Sequence, residues 1–146
     1  MAVTWQASEA AHPARAAARR SMDAVSRGAK DEWLPLFADD AVVEDPIGPG
    51  PFDADGKGHR GLAAISAFWD ASIAQVERFD FLVRDSFACG GEVANVGTIT
   101  SYLPGGMVID ADGVFTYRVD EAGRIVALRA FWEIARAAAT LRKADG

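Results

Sequence analysis

An α+β domain, three N-terminal helices on a curved, mixed but mainly antiparallel sheet, is what the sequence predicts, on three observations. Apolar residues recur at steps of three and four up to about residue 76, and at steps of two after it. The second half is punctuated by short turn signals, Leu103-Pro104-Gly105-Gly106 and Asp120-Glu121-Ala122-Gly123, with no helical stretch between its strands. That order, helices first and hairpin-linked strands after, differs from the alternation that builds a parallel sheet.

From Pro13 to Gly28 the residues Ala14, Ala17, Ala18, Met22 and Val25 form one stripe of an amphipathic helix, and Ser21 lies in that stripe. Gly28 ends it. Asp31 is placed to cap a short second helix holding Trp33, Leu36 and Phe37, with Pro35 in its first turn. Ala41 to Glu44 reads as a brief strand, and Pro46 drives Asp45 toward an extended conformation at the strand's end. Two prolines and five glycines between Ile47 and Gly61 make a rim loop. Leu62, Ile65, Phe68, Trp69, Ile73 and Val76 give the third helix.

The strands follow. Phe79, Phe81 and Val83 alternate with polar neighbours, as do Val96 to Tyr102, and further strands are expected at Val114 to Val119 and Ile125 to Ile134. On the last of these Leu128, Ala130 and Trp132 share a face suited to a cavity wall, while Ala127, Arg129, Phe131 and Glu133 face away. A sheet curled over helices encloses a cavity. The tail from Ala135 to Gly146 is left open between a short helix and disorder.

At 146 residues the chain has the size of one domain, expected over 1–146 with its core at about 14–134. Half of its residues are hydrophobic, four Trp and eight Phe among them, enough both to fill a core and to line a pocket. A formal net charge of −6 opposes binding to a phosphate backbone, so nucleic acid is excluded as a partner. No stretch approaches the roughly 20 apolar residues of a membrane span, and the first residues lack a leader pattern, so no membrane partner and a cytoplasmic location are expected. Cys89 is alone.

Several motif matches lack the context their chemistry needs. Gly56-Lys57-Gly58-His59-Arg60-Gly61 fits a dinucleotide fingerprint in letters, but a Pro-rich loop precedes it where a strand is required. Asp53-Ala54-Asp55-Gly56 and Asp110-Ala111-Asp112-Gly113 read as acidic turns rather than calcium loops. His12 and His59 have no zinc-ligand spacing and read as surface-loop residues. No metal and no cofactor is implied.

The run Asp39-Asp40-Ala41-Val42-Val43-Glu44-Asp45-Pro46-Ile47-Gly48, preceded by Leu36-Phe37-Ala38, resembles the ketosteroid isomerase family within the nuclear-transport-factor-2-like (NTF2-like) and polyketide-cyclase-like superfamily. Gly61 through Ile65 to Phe68-Trp69 is similar to that family's third helix, and Val119 to Trp132 to its last hairpin. The resemblance spans about Ala14 to Glu133 and implies a cone-shaped fold. It implies that Asp45 is a general base moving a proton between two carbons of a steroid ketone, as the aspartate before this proline does in the isomerases. A carboxylate in an apolar pocket is a stronger base because desolvation disfavours its charge. In the isomerases a tyrosine and a protonated aspartic acid hold the ketone oxygen. Aligned without gaps, the tyrosine falls on Ser21, two supporting tyrosines on Phe37 and Trp69, and the second acid on Phe115. Ser21 is then the remaining donor candidate, with Asp110 or Asp112 reaching the lost place if a bulge shifts the register.

The expected function is general-base proton transfer on a steroid or similar fused-ring hydrophobic ketone. Asp45 and Ser21 are its catalytic candidates, and Val25, Phe37, Phe68, Trp69, Phe115, Leu128, Ala130 and Trp132 its walls. Two alternatives stand beside it. One is a non-catalytic protein binding a steroid-like or polyketide-like ligand. The other is an epoxide hydrolase or cyclase of natural-product metabolism, with Glu77 or Asp70 as its second acid. The outward face around Phe131 predicts a homodimer through the sheet.

Overall fold

Proline at the first position and a capping side chain start the first helix, α1 (Pro13–Ser26): Nδ1 of His12 accepts from the Ala14 amide at 3.1 Å. His12 therefore anchors a helix rather than decorating a surface loop, and its Nε2 meets the Gly90 carbonyl at 2.9 Å. In this computed structural model, which describes residues 2–144, the predicted stripe of α1 is buried from Ala14 to Met22, Ser21 included.

The second helix is shorter than expected. α2 (Lys30–Trp33) is a single turn starting from Ala29, so Asp31 lies inside it and caps nothing. A 3-10 turn, Leu34–Leu36, takes up Pro35, whose missing N–H suits a short turn better than a helix interior. Phe37 already begins strand β2 (Phe37–Glu44), four residues earlier than the pattern indicated. Asp39 and Asp40, poor strand formers, hid that start; both are exposed, and the register with the neighbouring strand shifts between Phe37 and Val42.

The rim loop contains one short strand, β3 (His59–Arg60), antiparallel to β2, so the glycine run has no parallel unit around it. Asp53 closes the loop's turn by accepting from the amides of Lys57 and Gly58, at 3.3 and 2.8 Å. Helix α3 (Leu62–Ala71) stops where the Ser72 hydroxyl donates to the Phe68 carbonyl. Ile73 therefore falls on a following 3-10 turn and Val76 just beyond it.

Four long strands come next: β4 (Arg78–Cys89), β5 (Glu92–Leu103), β6 (Met107–Val119) and β7 (Ile125–Phe131). β6 starts well before Val114, so Asp110 and Asp112 lie on a strand and not in an acidic turn. They are tolerated there because Thr100 and Thr98, directly across on β5, donate to them at 2.8 Å each. β7 ends at Phe131, and Ile134 belongs to a further helix, α4 (Ile134–Ala138).

Together with β1 (Val3–Trp5) and the C-terminal β8 (Arg142–Lys143), these strands form one sheet in the order β1-β4-β5-β6-β7-β2-β3, with β8 on β6. β1 on β4 and β2 on β7 are parallel pairs and the rest are antiparallel, so the sheet is mixed as expected. β1 and β8 are too short for any periodicity to reveal them. No described helix is long and apolar enough to cross a membrane.

The core fills one end of the space between helices and sheet. There Trp33, Phe37, Ile65 and Trp69 pack with Phe81, Val93, Ile125 and Leu128. Toward the other end the sheet curves away. Gly97 and Gly113 are register partners on β5 and β6, and a side chain on either would run into the backbone carbonyl of Leu82 or Phe131. This close approach is available only to glycine. Gly97→Ala is expected to lower stability by at least about 2 kcal/mol, read from urea unfolding followed by Trp fluorescence.

Candidate functional site

Strand alternation and the parallel pairing of β2 with β7 decide where the carboxylates go. Glu44 pairs with Arg129 in register and turns outward, its Oε1 accepting from the Arg129 Nε at 3.0 Å. Asp45, one residue on, therefore turns inward. β7 runs two residues past the Glu44–Arg129 pairing, to Phe131, and the Trp132 indole that follows reaches Asp45: Trp132 Nε1 donates to Asp45 Oδ1 at 2.7 Å. The Ile47 amide continues the connection past Pro46 by donating to the Ala130 carbonyl.

Asp45 lines a cavity of about 400 Å³ whose walls are mostly apolar. Burial is the main influence on its carboxyl and pushes the pKa above the ordinary aspartate value. The Trp132 hydrogen bond and the nearby imidazole of His59 oppose that shift in part. His59 is thus no surface-loop residue: it sits on β3, half-buried, with its ring 4.7 Å from that of Phe68.

Of the predicted wall, Val25, Phe68, Phe115, Leu128 and Trp132 line the cavity. Phe37, Trp69 and Ala130 do not. Phe37 and Trp69 pack on Trp33, with ring centroids 4.6 and 5.0 Å away, and belong to the core. Ala130 has the predicted facing, but it is fully covered opposite Phe115 and its methyl is too short to reach the cavity.

Ser21 lines the cavity and is not alone there. Its Oγ receives the Trp33 indole N–H at 3.1 Å and lies 3.3 Å from the Tyr117 hydroxyl. Tyr117 is buried, and burial pushes its phenol up to about 12; the Ser21 contact opposes this and the Asp45 charge adds to it. Asn95, on the same inner surface, is 2% exposed, and neither its amide nitrogen nor its oxygen has a hydrogen-bond partner among the described residues. Asn95 and Phe115 are register partners.

Neither rescue by the β6 aspartates holds. Asp112 is bound by Arg84, Thr98 and Arg136, and those donors, Arg84 foremost, hold its carboxyl below the usual range. An ionised acid offers no proton to a ketone oxygen. Asp110 reaches the cavity rim, with its oxygens taken by Thr100 and Arg142. Glu77 and Asp70 are exposed and off the cavity, Asp70 pairing with Lys30 at 3.0 Å. Among the described residues no group of three or more His, Cys, Asp or Glu is arranged to hold a metal ion.

Trp33, Tyr117 and Asn95 were missed by the sequence reading. Tyr117 was within its reach, because it shares strand alternation with Phe115. Asn95 precedes the stretch in which alternation is visible, and Trp33 was read only as a residue of the short second helix. The cavity also takes Ile134, Ala137 and Ala138 from α4, which the undecided tail could not supply. Thr140 and the Arg136 and Arg142 ion pairs fasten this segment to Asp110 and Asp112.

The pattern of the SnoaL-like domain matches residues 18–128 of the chain. A steroid Δ-isomerase of Nocardioides simplex is 30% identical over 118 residues, spanning 81% of this chain and 88% of that one. The crystal structure of a Δ5-3-ketosteroid isomerase from a Mycobacterium species superposes with a TM-score of 0.82 at 38% identity, covering 90% of this chain and 98% of the other. A Mycobacterium tuberculosis protein in complex with estradiol-17β-hemisuccinate superposes with a TM-score of 0.81 at 34% identity, covering 90% and 99%.

Removing the indole donor isolates its effect on the carboxyl. Trp132→Phe is expected to raise the Asp45 pKa further, since the bond it deletes favours the ionised form. Carbon-detected NMR titration of the carboxyl checks this; an unchanged or lowered midpoint contradicts it.

Proposed function

The chain belongs to the SnoaL-like domain family, and on that premise we propose that it moves a proton between two carbons of a steroid or similar fused-ring ketone, with Asp45 as general base. The observation carrying this reading is one inward carboxylate in a cavity of about 400 Å³ with mostly apolar walls, held by a single indole N–H. Such walls accept a rigid hydrocarbon skeleton and exclude water from the base.

The step balances without a cofactor. The Asp45 carboxylate takes a proton from the carbon beside the ketone, and the C–H electron pair becomes a C=C bond as the carbonyl electrons move to oxygen. In a substrate with a C=C bond next to that carbon, the protonated Asp45 then gives the proton to the far carbon of that bond, whose electron pair takes it up, and the oxygen's charge flows back to restore the carbonyl with the C=C bond moved into conjugation. Burial favours both directions, because it raises the carboxylate's basicity while leaving the acid able to give the proton up. The neighbours that act on steroids or bind them support the substrate class. An epoxide-opening or cyclising reaction with Glu77 or Asp70 as its second acid is not supported, because both are exposed and off the cavity.

The outer face supports a further part of this reading, a homodimer. Phe87 and Phe131 are 63% and 49% exposed and flank Val96 and Val114 on the same side of the sheet. A two-fold axis through this face pairs like surface with like. Phe131→Glu is expected to shift the dimer to a monomer in light scattering; a wild-type protein that is monomeric at tens of micromolar rules the dimer out.

Asp45→Asn is expected to slow conversion of a Δ5-3-ketosteroid to its conjugated Δ4 isomer by about a hundred- to ten-thousandfold, followed by ultraviolet absorbance. Wild-type rate is expected to rise with pH through the raised Asp45 pKa, later than for an ordinary carboxylate. Stability runs the other way. The native state holds its Asp45 proton to higher pH than the unfolded chain, so stability falls as pH rises between the two pKa values. Asp45→Asn removes that loss and should unfold at the same or a higher temperature above this window. Steroid binding without turnover in the wild type would instead mark a ligand carrier.

A further inference from the structure

Three protons serve two contacts in the deep wall of the cavity. Trp33 Nε1, Ser21 Oγ and Tyr117 Oη are each donors, and the only contacts among them are Trp33 to Ser21 at 3.1 Å and the Ser21–Tyr117 pair at 3.3 Å. A serine oxygen has two lone pairs and one proton. If Tyr117 donates to Ser21, both lone pairs are filled and the serine proton has no acceptor; if Ser21 donates to Tyr117, the phenol proton has none. Either way one hydroxyl proton is left over. The contact of 3.3 Å is also long for a pair of hydroxyls, so it is readily exchanged for a better acceptor.

A second unmatched group lies on the same surface. Asn95 is 2% exposed, lines the cavity, and has neither amide atom bonded among the described residues. Burying an unpartnered amide is costly, and such a group is retained where something else satisfies it. Val93 faces Tyr117 across the β5–β6 ladder and Asn95 is the next inward residue, a diagonal neighbour of Tyr117. Asp45 is near enough for its charge to act on Tyr117.

We propose that Tyr117, backed by Ser21 and Trp33, and the amide of Asn95 are paired hydrogen-bond donors to one oxygen of the ligand. The inference rests on the proposed reading of the site and supplies what that reading lacks, an electrophile opposite the base. The donors are displaced relative to the isomerase pattern. The phenol comes from β6 in place of α1, where Ser21 stands, and the second donor comes from β5, directly across from Phe115.

The test compares 2-naphthol with naphthalene, two probes that differ by one oxygen, by calorimetry on the intact protein. Wild type is expected to prefer 2-naphthol, and Tyr117→Phe and Asn95→Leu each to lose roughly tenfold of that preference while naphthalene affinity holds. Asn95→Leu should also unfold at a higher temperature, because it removes an unsatisfied amide; a merely structural Asn95 would give the opposite sign. A preference unchanged in both variants, or no binding of either probe by the wild type, overturns the inference. Oxygen preference that depends on Tyr117 and Asn95, in a protein without isomerase turnover, would leave these donors in place and reject Asp45 as a catalytic base. Turnover that needs Asp45 alongside a preference indifferent to both variants would reject the donors alone.

Discussion

The hydrogen bond from Trp132 to Asp45 ties the chain's two halves together at the point where a charge is buried. It exists because β2 and β7 run parallel and β7 continues past the Glu44–Arg129 pairing, and that pairing joins a strand of the helical half to the last long strand. Glu44 and Arg129 form a matching pair on the outer face. Outside, Arg129 is half exposed while Glu44 is largely covered, so water screens the ion pair only in part. Inside, the indole is the one fixed donor among the described residues on a carboxylate that burial otherwise pushes toward its neutral form. The balance leaves Asp45 ionisable but basic. A charged partner such as arginine in place of Trp132 would hold the carboxylate ionised and blunt it as a base.

Helix–sheet packing and cavity divide the interior by residue size and by distance from the crossing point. Where α1 and α3 lie close on the sheet, Ala14, Ala17 and Ala18 let the backbones approach, and Trp33 with Phe37, Ile65 and Trp69 fills what remains. Where Gly97 and Gly113 let the strands crowd and curve, no side chain is available to fill the space beneath. The cavity is therefore a consequence of the curvature. The C-terminal segment adds wall to it, with Ala137 buried and Arg136 and Arg142 drawn to the strand aspartates. Asp110 and Asp112 are structural in this arrangement. Their cross-strand threonines and arginines anchor the tail and keep both carboxylates paired.

Much of this was legible in the sequence because the governing signals are local. The stripe of α1 placed Ser21 inward, the proline after Asp45 marked a strand end, and alternation on β7 set Trp132 against Arg129 correctly. The failures have equally physical origins. The start of β2 was concealed by Asp39 and Asp40, which a bulged and exposed strand accommodates but propensity disfavours. Phe37 and Trp69 were expected in the wall because isomerase positions aligned there, yet which aromatic reaches a cavity depends on depth, and Trp33 lies over both. Alternation put Tyr117 on the same face as Phe115, but its meeting with Ser21, 96 residues away, has no local signal. Asn95 escaped because an unsatisfied amide is visible only once all its neighbours are in place.

The ionisation of the base and that of the phenol are compatible in a way that bears on the chemistry. While Asp45 is charged, its field and the dry surroundings hold the Tyr117 phenol up near 12, so the phenol keeps its proton throughout the range in which Asp45 is a base. Among the described residues Asp45 then carries the one negative charge beside the phenol, Asp110 at the rim being paired with Arg142. In the proposed mechanism Asp45 takes the ligand's proton, and that charge moves to the ligand oxygen and is not doubled. On the inference drawn above, the leftover hydroxyl proton and the Asn95 amide are the donors that receive it. Donors arranged in advance of the charge stabilise the transition state more than the neutral ketone, because hydrogen bonds strengthen as the acceptor becomes anionic. The same reasoning explains why a lowered phenol pKa would be no improvement. A tyrosine ionised beside an ionised Asp45 would add a second negative charge and withdraw the proton from the developing oxyanion.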